Sequence, residues 1–379
     1  MKSELKNICD LINEKISANE LINNNLASTY VSTESMLPNK RGITKPSSIP
    51  SKGTTTAYKK DDVLVSNIRT YFKKIWSANY DGVCSNDVLV FRTKNTADAN
   101  FLYYVLANDD FFVYSMATSK GTKMPRGDKA SIMKYEVESF DLNTQRKIAG
   151  ILKPIDKKIE LNNTINNNLL QQLHVLYLRL LGDSAMDKPL GDVVATTSGG
   201  TPSRKHDEYY SDSSICWVKS KELLGNYIHE TEEHINDLAI KRSSAKLLPE
   251  HSVLIAMYGA TVGAYGVISK PMTCNQAVCA LLCNENYPYT YLFQIAYESQ
   301  QKFVNLAVGS AQQNISQVLI KQLNLHSDLD IIQKFHCLAL PMHKEIESLQ
   351  AENMRLSDLR DNLLPKLMSG ELDVSDIDI

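Results

Sequence analysis

Residues 145–182 read QRKIAGILKPIDKKIELNNTINNNLLQQLHVLYLRLLG, and their spacing decides the architecture. Ile148, Leu152, Ile155, Ile159, Asn162, Asn166, Leu169, Leu173, Leu176 and Leu180 step by four and three without a break. A sustained period of about 3.5 residues specifies a coiled-coil seam rather than the wider apolar face of an ordinary surface helix. Asn162 and Asn166 are polar seam positions, which lower stability but fix register and partner. Pro154 is expected to kink the helix or to open its main body, and Gly182 to close it. A helix of roughly 35 residues spans about 50 Å.

The pattern returns at the chain end. Ile332, Phe335, Ala339, Met342, Ile346, Leu349, Asn353, Leu356, Arg360, Leu363 and Leu367 keep the same period, with Pro341 early and Gly370 at the close. Sliding the sequence by 188 positions lays Gly121 on Gly309, Ile132 on Ile320, Gln145 on Gln333, Leu161 on Leu349 and Gly182 on Gly370. With small insertions the match extends back to Val63-Leu64 on Val253-Leu254. Two such seams in one chain can pair with each other; the bland alternative is that each packs on its own domain.

Ahead of each helix lie short β-branched runs, 62–66 (DVLVS) and 87–92 (DVLVFR) in the first half, 252–257 and 277–282 in the second. Alternation of this kind reads as strand, and helices are expected between, near 99–108 and 289–298. The fold class is therefore α+β: two α/β domains in pseudo-repeat, separated by two long helices forming an antiparallel coiled coil. The expected boundaries are 1–141, 142–185, 186–327 and 328–379.

A hydrophobic share of 43% with 22% charged residues is that of a globular chain. No run is long enough to cross a membrane and the N-terminus has no signal-peptide core, so a cytoplasmic location is expected. The seven cysteines include no C-x-x-C pair and the eight histidines no cluster, so no metal site is expected and the thiols read as reduced and structural. Residues 1–185 carry 25 Lys/Arg against 19 Asp/Glu, whereas 326–379 carry 5 against 11. The acidic end repels phosphate and is expected to face protein.

Enzymatic signatures are missing. No Pro-Pro occurs, which removes the loop that adenine methyltransferases use on a flipped base, and no phosphate-binding G-x-x-x-x-G-K-[ST] loop is encoded. Asp156 and Lys158 have nuclease-like spacing but fall on the heptad helix, where they read as solvated charges. No catalytic residue is expected.

The order of these features resembles the specificity subunits of type I restriction–modification systems. The resemblance rests on Gln145-Arg146-Lys147-Ile148-Ala149, on residues 155–162 (IDKKIELN), on 363–371 (LLPKLMSGE), and on 198–203 (SGGTPS) and 258–263 (YGATVG) in the second half. It implies two target-recognition domains, each reading half of a split site on double-stranded DNA, with the helices setting the gap. It also implies two DNA-methyltransferase subunits and translocating endonuclease subunits as partners. S-adenosylmethionine, ATP and Mg would belong to those partners, with no cofactor in this chain. The first domain lacks the glycines of the second, having Ile12–Ile16 and Asn67-Ile68-Arg69-Thr70 at the matching places, so the target is expected to be asymmetric.

Bases are read by Arg, Lys, Asn and Gln, and phosphates are held by cations, hydroxyls and amides. In the first domain these are Lys40, Arg41, Asn67, Arg69, Lys73 and Lys74, with Lys120, Lys123, Arg126 and Lys129 on a glycine-containing loop. In the second they are Thr201, Ser203, Arg204, Lys205, Lys219, Lys221 and Tyr258, with Gln312, Gln313 and Asn314 on the matching, uncharged loop. Competing readings are a coiled-coil scaffold whose domains bind peptides, and the recognition module of a related phage-defence methylation system.

Overall fold

The computed structural model describes residues 2–23, 26–121, 124–308 and 314–377. The chain forms two compact units, 1–159 with 356–379, and 160–355. In chain order the first half runs β1 (Lys2–Glu4), β2 (Cys9–Ile12), β3 (Lys15–Ser17), α1 (Ala18–Asn23), β4 (Tyr30–Val31), β5 (Thr54–Tyr58), β6 (Val63–Ser66), β7 (Ile75–Ser77), β8 (Gly82–Cys84), β9 (Val88–Thr93), α2 (Ala99–Ala107), α3 (Asp109–Ala117), α4 (Lys129–Ile132), β10 (Glu136–Glu138) and α5 (Leu142–Leu181). The second half runs β11 (Met186–Pro189), α6 (Leu190–Val193), β12 (Ala195–Ser198), β13 (Ile215–Val218), β14 (Asn226–Ile228), β15 (His234–Ile235), α7 (Asp237–Arg242), β16 (Val253–Ala256), β17 (Tyr265–Ile268), β18 (Thr273–Cys274), β19 (Val278–Leu282), α8 (Tyr289–Val308), α9 (Gln317–Lys321), β20 (Asn324–His326) and α10 (Leu329–Ser369).

The four sequence-expected strands are β6, β9, β16 and β19, and they lie at the centre of each half. The sheet β2-β9-β6-β7 is matched by β12-β19-β16-β17, which gains β14 at its far edge. Both faces of these strands are buried, so they read as continuous apolar runs. Val63, Val65, Leu89 and Phe91 pack against α2 and α3, while Leu64, Val88 and Val90 turn to the second sheet, β3-β5-β8-β4. In the other unit Val253, Ile255, Cys279 and Leu281 take the first role, and Leu254, Ala256, Val278 and Ala280 the second. The repeat is thus physical, with spacing 186 at β2/β12, 190 at β6/β16 and β9/β19, and 188 at α4/α9 and β10/β20. In each half the first strand closes antiparallel on the strand before the long helix, β1 on β10 and β11 on β20. The helix expected near 289–298 continues to Val308.

The long helices are α5, of 40 residues, and α10, of 41. Asp141 caps the first, its carboxylate accepting from Thr144 N at 2.8 Å; Asp328 accepts from Ile331 N at 3.1 Å in the second. Both begin about three turns before the prolines, so Pro154 and Pro341 lie inside helices instead of opening them. Gly370 has the left-handed φ of +76° that favours glycine after a helix, whereas Gly182 closes α5 without one.

Within each unit the two helices run antiparallel. In the first, Ile148, Leu152, Leu364 and Leu367 share one core with Phe101, Leu102 and Val105 of α2. In the second, Asn162 Nδ2 donates to Glu352 Oε2 at 2.7 Å and to Asn353 Oδ1 at 2.9 Å, while Tyr177 meets Phe335 edge to face. Every expected seam residue is buried or half-buried: Ile155, Ile159, Leu169, Leu176, Leu180, Met342, Leu356 and Leu363 partly, Leu173, Ile346 and Leu349 fully. The stripe is wider than the heptad alone predicts. Tyr177, Leu181, His343 and Leu364 are also buried, because an α-helix turns every 3.6 residues and a 3.5-residue stripe drifts around it.

Asp156 corrects its sequence reading. Its carboxylate accepts from Arg360 Nη1 and from the Tyr104 hydroxyl, both at 2.8 Å, so it is a paired charge inside the helix packing. Burial, and then the neighbouring Asp156 charge, hold the Tyr104 hydroxyl far above its ordinary range. The seven cysteines are free, and five are buried.

Leu152 is fully buried, so Leu152→Ala should cost about 2–5 kcal/mol. The Asn166 Oδ1 is buried with no hydrogen-bond partner among the described residues, and Asn166→Leu should raise stability instead. Thermal unfolding followed by circular dichroism of both variants checks the pair of opposite signs.

Candidate nucleic-acid interface

The first candidate site is a backbone frame at one end of the β2-β9-β6-β7 sheet. As β6 ends, Asn67 N donates to Asp87 O at 2.8 Å, and Asn67 O accepts from Gly127 N at 3.2 Å. Arg69 N donates to Pro125 O at 3.0 Å, which draws the 120–127 loop against the turn. A 3-10 turn over Thr70–Phe72 follows, and Ser66 N returns to Lys74 O at 3.0 Å to start β7. Asn39 N and Lys40 N donate to Phe72 O and Lys73 O, docking a third segment on the same turn. Lys40, Arg69, Lys73, Lys74, Lys120 and Arg126 are thereby gathered from three separate stretches of chain.

The second unit repeats three bonds of this frame. Met257 N donates to Ala277 O at 2.8 Å, Met257 O accepts from Ile315 N at 2.9 Å, and Ala256 N donates to Ala264 O at 2.7 Å. The bridge between Ile68 and Arg126 has its counterpart between Tyr258 and Asn314. Gly259–Thr261 supplies the matching 3-10 turn.

One difference carries information. Gly259 and Gly263 have φ of +69° and +80°; their equivalents Arg69 and Lys73 both have φ of +50°. Lys40 and Asn39 are left-handed too, at +60° and +57°. A side chain in this region costs about 1–2 kcal/mol, and such strain collects where function demands a side chain. The first domain therefore keeps two strained cations on this turn, where the second domain has glycine, and a third, Lys40, on the segment docked against it.

Acidic neighbours hold these cations. Asp109 binds Lys73 at 2.7 Å and Lys40 at 2.9 Å; burial raises its carboxyl, but the two lysines outweigh that and hold it below the ordinary carboxylate range. Arg126 lies 3.1 Å from Asp87, and Lys120 2.8 Å from Asp128. The Asp128 carboxyl is lowered to about 2 by Lys120 and by Ser131, whose amide it caps at the start of α4. Lys74 donates to Thr33 O at 2.6 Å. Arg41 is exposed, with its Nε on Pro38 O, and Lys129 is exposed on α4. Asn67 is only 6% exposed, and its Oδ1 sits 2.8 Å from where a Cβ on Gly127 would stand. It builds the frame and is not presented by it. Lys123 falls outside the described residues.

In the second unit Arg204 and Lys219 both pair with Glu233, and Lys221 with Glu232. The Arg204 guanidinium lies over Tyr210 at 4.2 Å, and Trp217 donates from Nε1 to Gly200 O at 3.0 Å. Gly200 is obligatory here, since a Cβ would fall 2.3 Å from the Ser244 backbone. Thr201, Ser203 and Lys205 are exposed on the same segment, and Tyr258 stands 45% exposed beside Asn314. Gln312 and Gln313 lie outside the described residues. Tyr71 and Phe72, exposed and tilted against each other with ring centroids 4.6 Å apart beside the left-handed cations, are further candidates that the sequence reading does not include. Aromatics interleaved with cations in RTYFKK were the available signal.

A sequence model described as the type I restriction modification DNA specificity domain matches residues 1–171 and again 183–327. The chain belongs to that specificity family. Its function is DNA recognition within a type I restriction–modification system. Among specificity subunits of this family, that of the MjaIX enzyme of Methanocaldococcus jannaschii is 24% identical over 317 residues, covering 75% of this chain and 71% of its own. The HindI specificity subunit of Haemophilus influenzae is 22% identical, covering 83% and 87%. The crystal structure of the type I S subunit from M. genitalium shares the fold, with a TM-score of 0.56 at 15% identity over 97% of this chain and 96% of that one. Among the described residues no helix is long and apolar enough to cross a membrane.

Relaxing the turn separates strain from packing. Arg69→Gly should raise stability by about 1 kcal/mol, and Gly259→Arg should lower it by a similar amount, because nothing stands within 4 Å of a Cβ at 259. Gly263→Lys should cost more, since its Cβ would meet Gln300 O at 2.9 Å. Unfolding midpoints of the three variants test the order.

Proposed function

We propose that this chain is the non-catalytic specificity subunit of a type I complex, with each domain reading one half of a split, asymmetric DNA target. The observation that carries the reading is the shared frame with unlike side chains. The same backbone bonds present Arg69, Lys73 and Arg126 in one domain, and Gly259, Gly263 and Asn314 in the other. One scaffold thus offers charged donors to one half-site and backbone, amide and aromatic groups to the other. The carboxylates beside the cations keep those side chains ordered, and a DNA phosphate or guanine edge takes their place on binding.

In this reading the long helices set the gap between the half-sites and dock two DNA-methyltransferase subunits, to which translocating endonuclease subunits add. S-adenosylmethionine, ATP and Mg are held by those partners. The pairing of Asp156 with Arg360 and Tyr104 supports a structural role for the one nuclease-like residue pair on the helices.

Arg126→Ala should cost about 1–3 kcal/mol of DNA affinity and relax one position of the target, whereas Lys129→Ala should weaken all sequences alike and flatten the salt dependence. Copurification with a tag on this chain, followed by methylome sequencing with and without the gene, tests the whole. A split adenine-methylated motif lost on deletion is expected. An unchanged methylome with no methyltransferase in the pull-down would overturn the proposal.

A further inference from the structure

Away from the frames, three residues of different ligand chemistry converge in the second domain. Cys216 on β13 stands directly opposite His234 on β15 in antiparallel register, so their side chains leave the same face. Glu230, in the connection from β14 to β15, enters between them. Its Oε1 accepts from Cys216 Sγ at 2.9 Å and lies 2.5 Å from His234 Nε2. All the candidate ligand atoms fall within 4.8 Å of one another. Cys216 is 1% exposed and Glu230 is solvent-facing, so the cluster is buried at the sulfur and open at the carboxylate.

We propose that Cys216, Glu230 and His234 form a zinc site, with solvent as the fourth ligand. Zinc takes thiolate at about 2.3 Å and imidazole or carboxylate at about 2.0–2.2 Å, so tetrahedral neighbours lie about 3.3–3.5 Å apart. The two contacts to Glu230 reach that spacing by opening less than about 1 Å each, as the shared hydrogens leave. Thiolate and carboxylate together balance the dication. Lys270 holds the other carboxylate oxygen, Oε2, at 3.1 Å, while Thr231 N donates at 3.2 Å to Oε1, the oxygen that faces Cys216 and His234. Such outer contacts orient ligands at metal centres. On binding, the Cys216 Sγ–H bond breaks, the proton passes to solvent, and the sulfur lone pair forms the bond to zinc.

The place of the cluster suggests its use. The 229–233 connection carries the chain from β14, in the five-stranded sheet, to β15, in the sheet β15-β13-β18. The same connection holds Glu232 and Glu233, which grip Lys221, Lys219 and Arg204. A metal here clamps the segment that positions the cations of the second domain. Scattered in sequence at 216, 230 and 234, the ligands lack the close Cys or His pair by which zinc sites are recognised, so sequence spacing alone does not point to them.

Cobalt is the probe, since thiolate-to-Co(II) charge transfer reports directly on sulfur ligation. Titrated into the purified full chain, Co(II) should bind at one equivalent with a near-ultraviolet charge-transfer band, and zinc should displace it. Cys216→Ser should abolish the band, and the surface variants Glu230→Gln and His234→Asn should each weaken binding tenfold or more with unchanged circular dichroism. No band, a band that survives Cys216→Ser, or affinity indifferent to both surface variants would overturn the site.

Discussion

A stripe of apolar residues forty residues long cannot stay in water, and neither α5 nor α10 can bury its own. That constraint organises everything else. Each unit solves it by laying a stretch of one helix antiparallel on a stretch of the other and sealing the pair with the apolar side of its own α/β domain. Ile148 and Leu152 thereby lie in one core with Leu364, Leu367 and α2, and Leu173 and Tyr177 in one core with Phe335, Ile346 and α8. The seam is not wholly apolar. Asn162 meets Glu352 and Asn353, so an offset of the helices would strand a buried amide among leucines, which defines the register more sharply than leucines alone.

From that base the central sheets follow. With helices on one face and a second sheet on the other, β6, β9, β16 and β19 must be apolar on both sides, and DVLVS, DVLVFR and their counterparts are. The polar work moves to the strand ends. There the backbone folds into the same hydrogen-bonded frame twice, and the side chains it presents are free to differ.

Much of this was legible in the residues. The unbroken heptads located both helices and nearly every buried seam position, and the doubly apolar runs located the central strands. What stayed hidden depended on three dimensions. Tyr177 and His343 are off the heptad and become buried only because the helix drifts against a domain wall. Asp156 looked solvated because its partners, Tyr104 and Arg360, are 52 and 204 positions away. Asn67 has the chemistry of a base reader, but the frame closes over it. The left-handed angles of Arg69 and Lys73 are visible only by setting them against Gly259 and Gly263, and the Cys216 triad only through strand register.

The uneven spacing of the repeat has a consequence for handling the molecule. Equivalent elements lie 186 apart at β2, 190 apart at β6 and β9, and 188 apart from α4 onward. With β1 and β11 lying 184 apart, the length differences therefore fall between β1 and β2, between β2 and β6 and between β9 and α4, while the central strands are kept. Closing a longer surface loop costs little, about 0.6 kcal/mol per doubling. The two halves thus serve as each other's insertion experiment: outside residues 39–40 and the 120–127 loop, which belong to the frame, they mark where a fluorophore, an affinity tag or a cross-linking residue can enter, and so where distances across a working assembly can be measured.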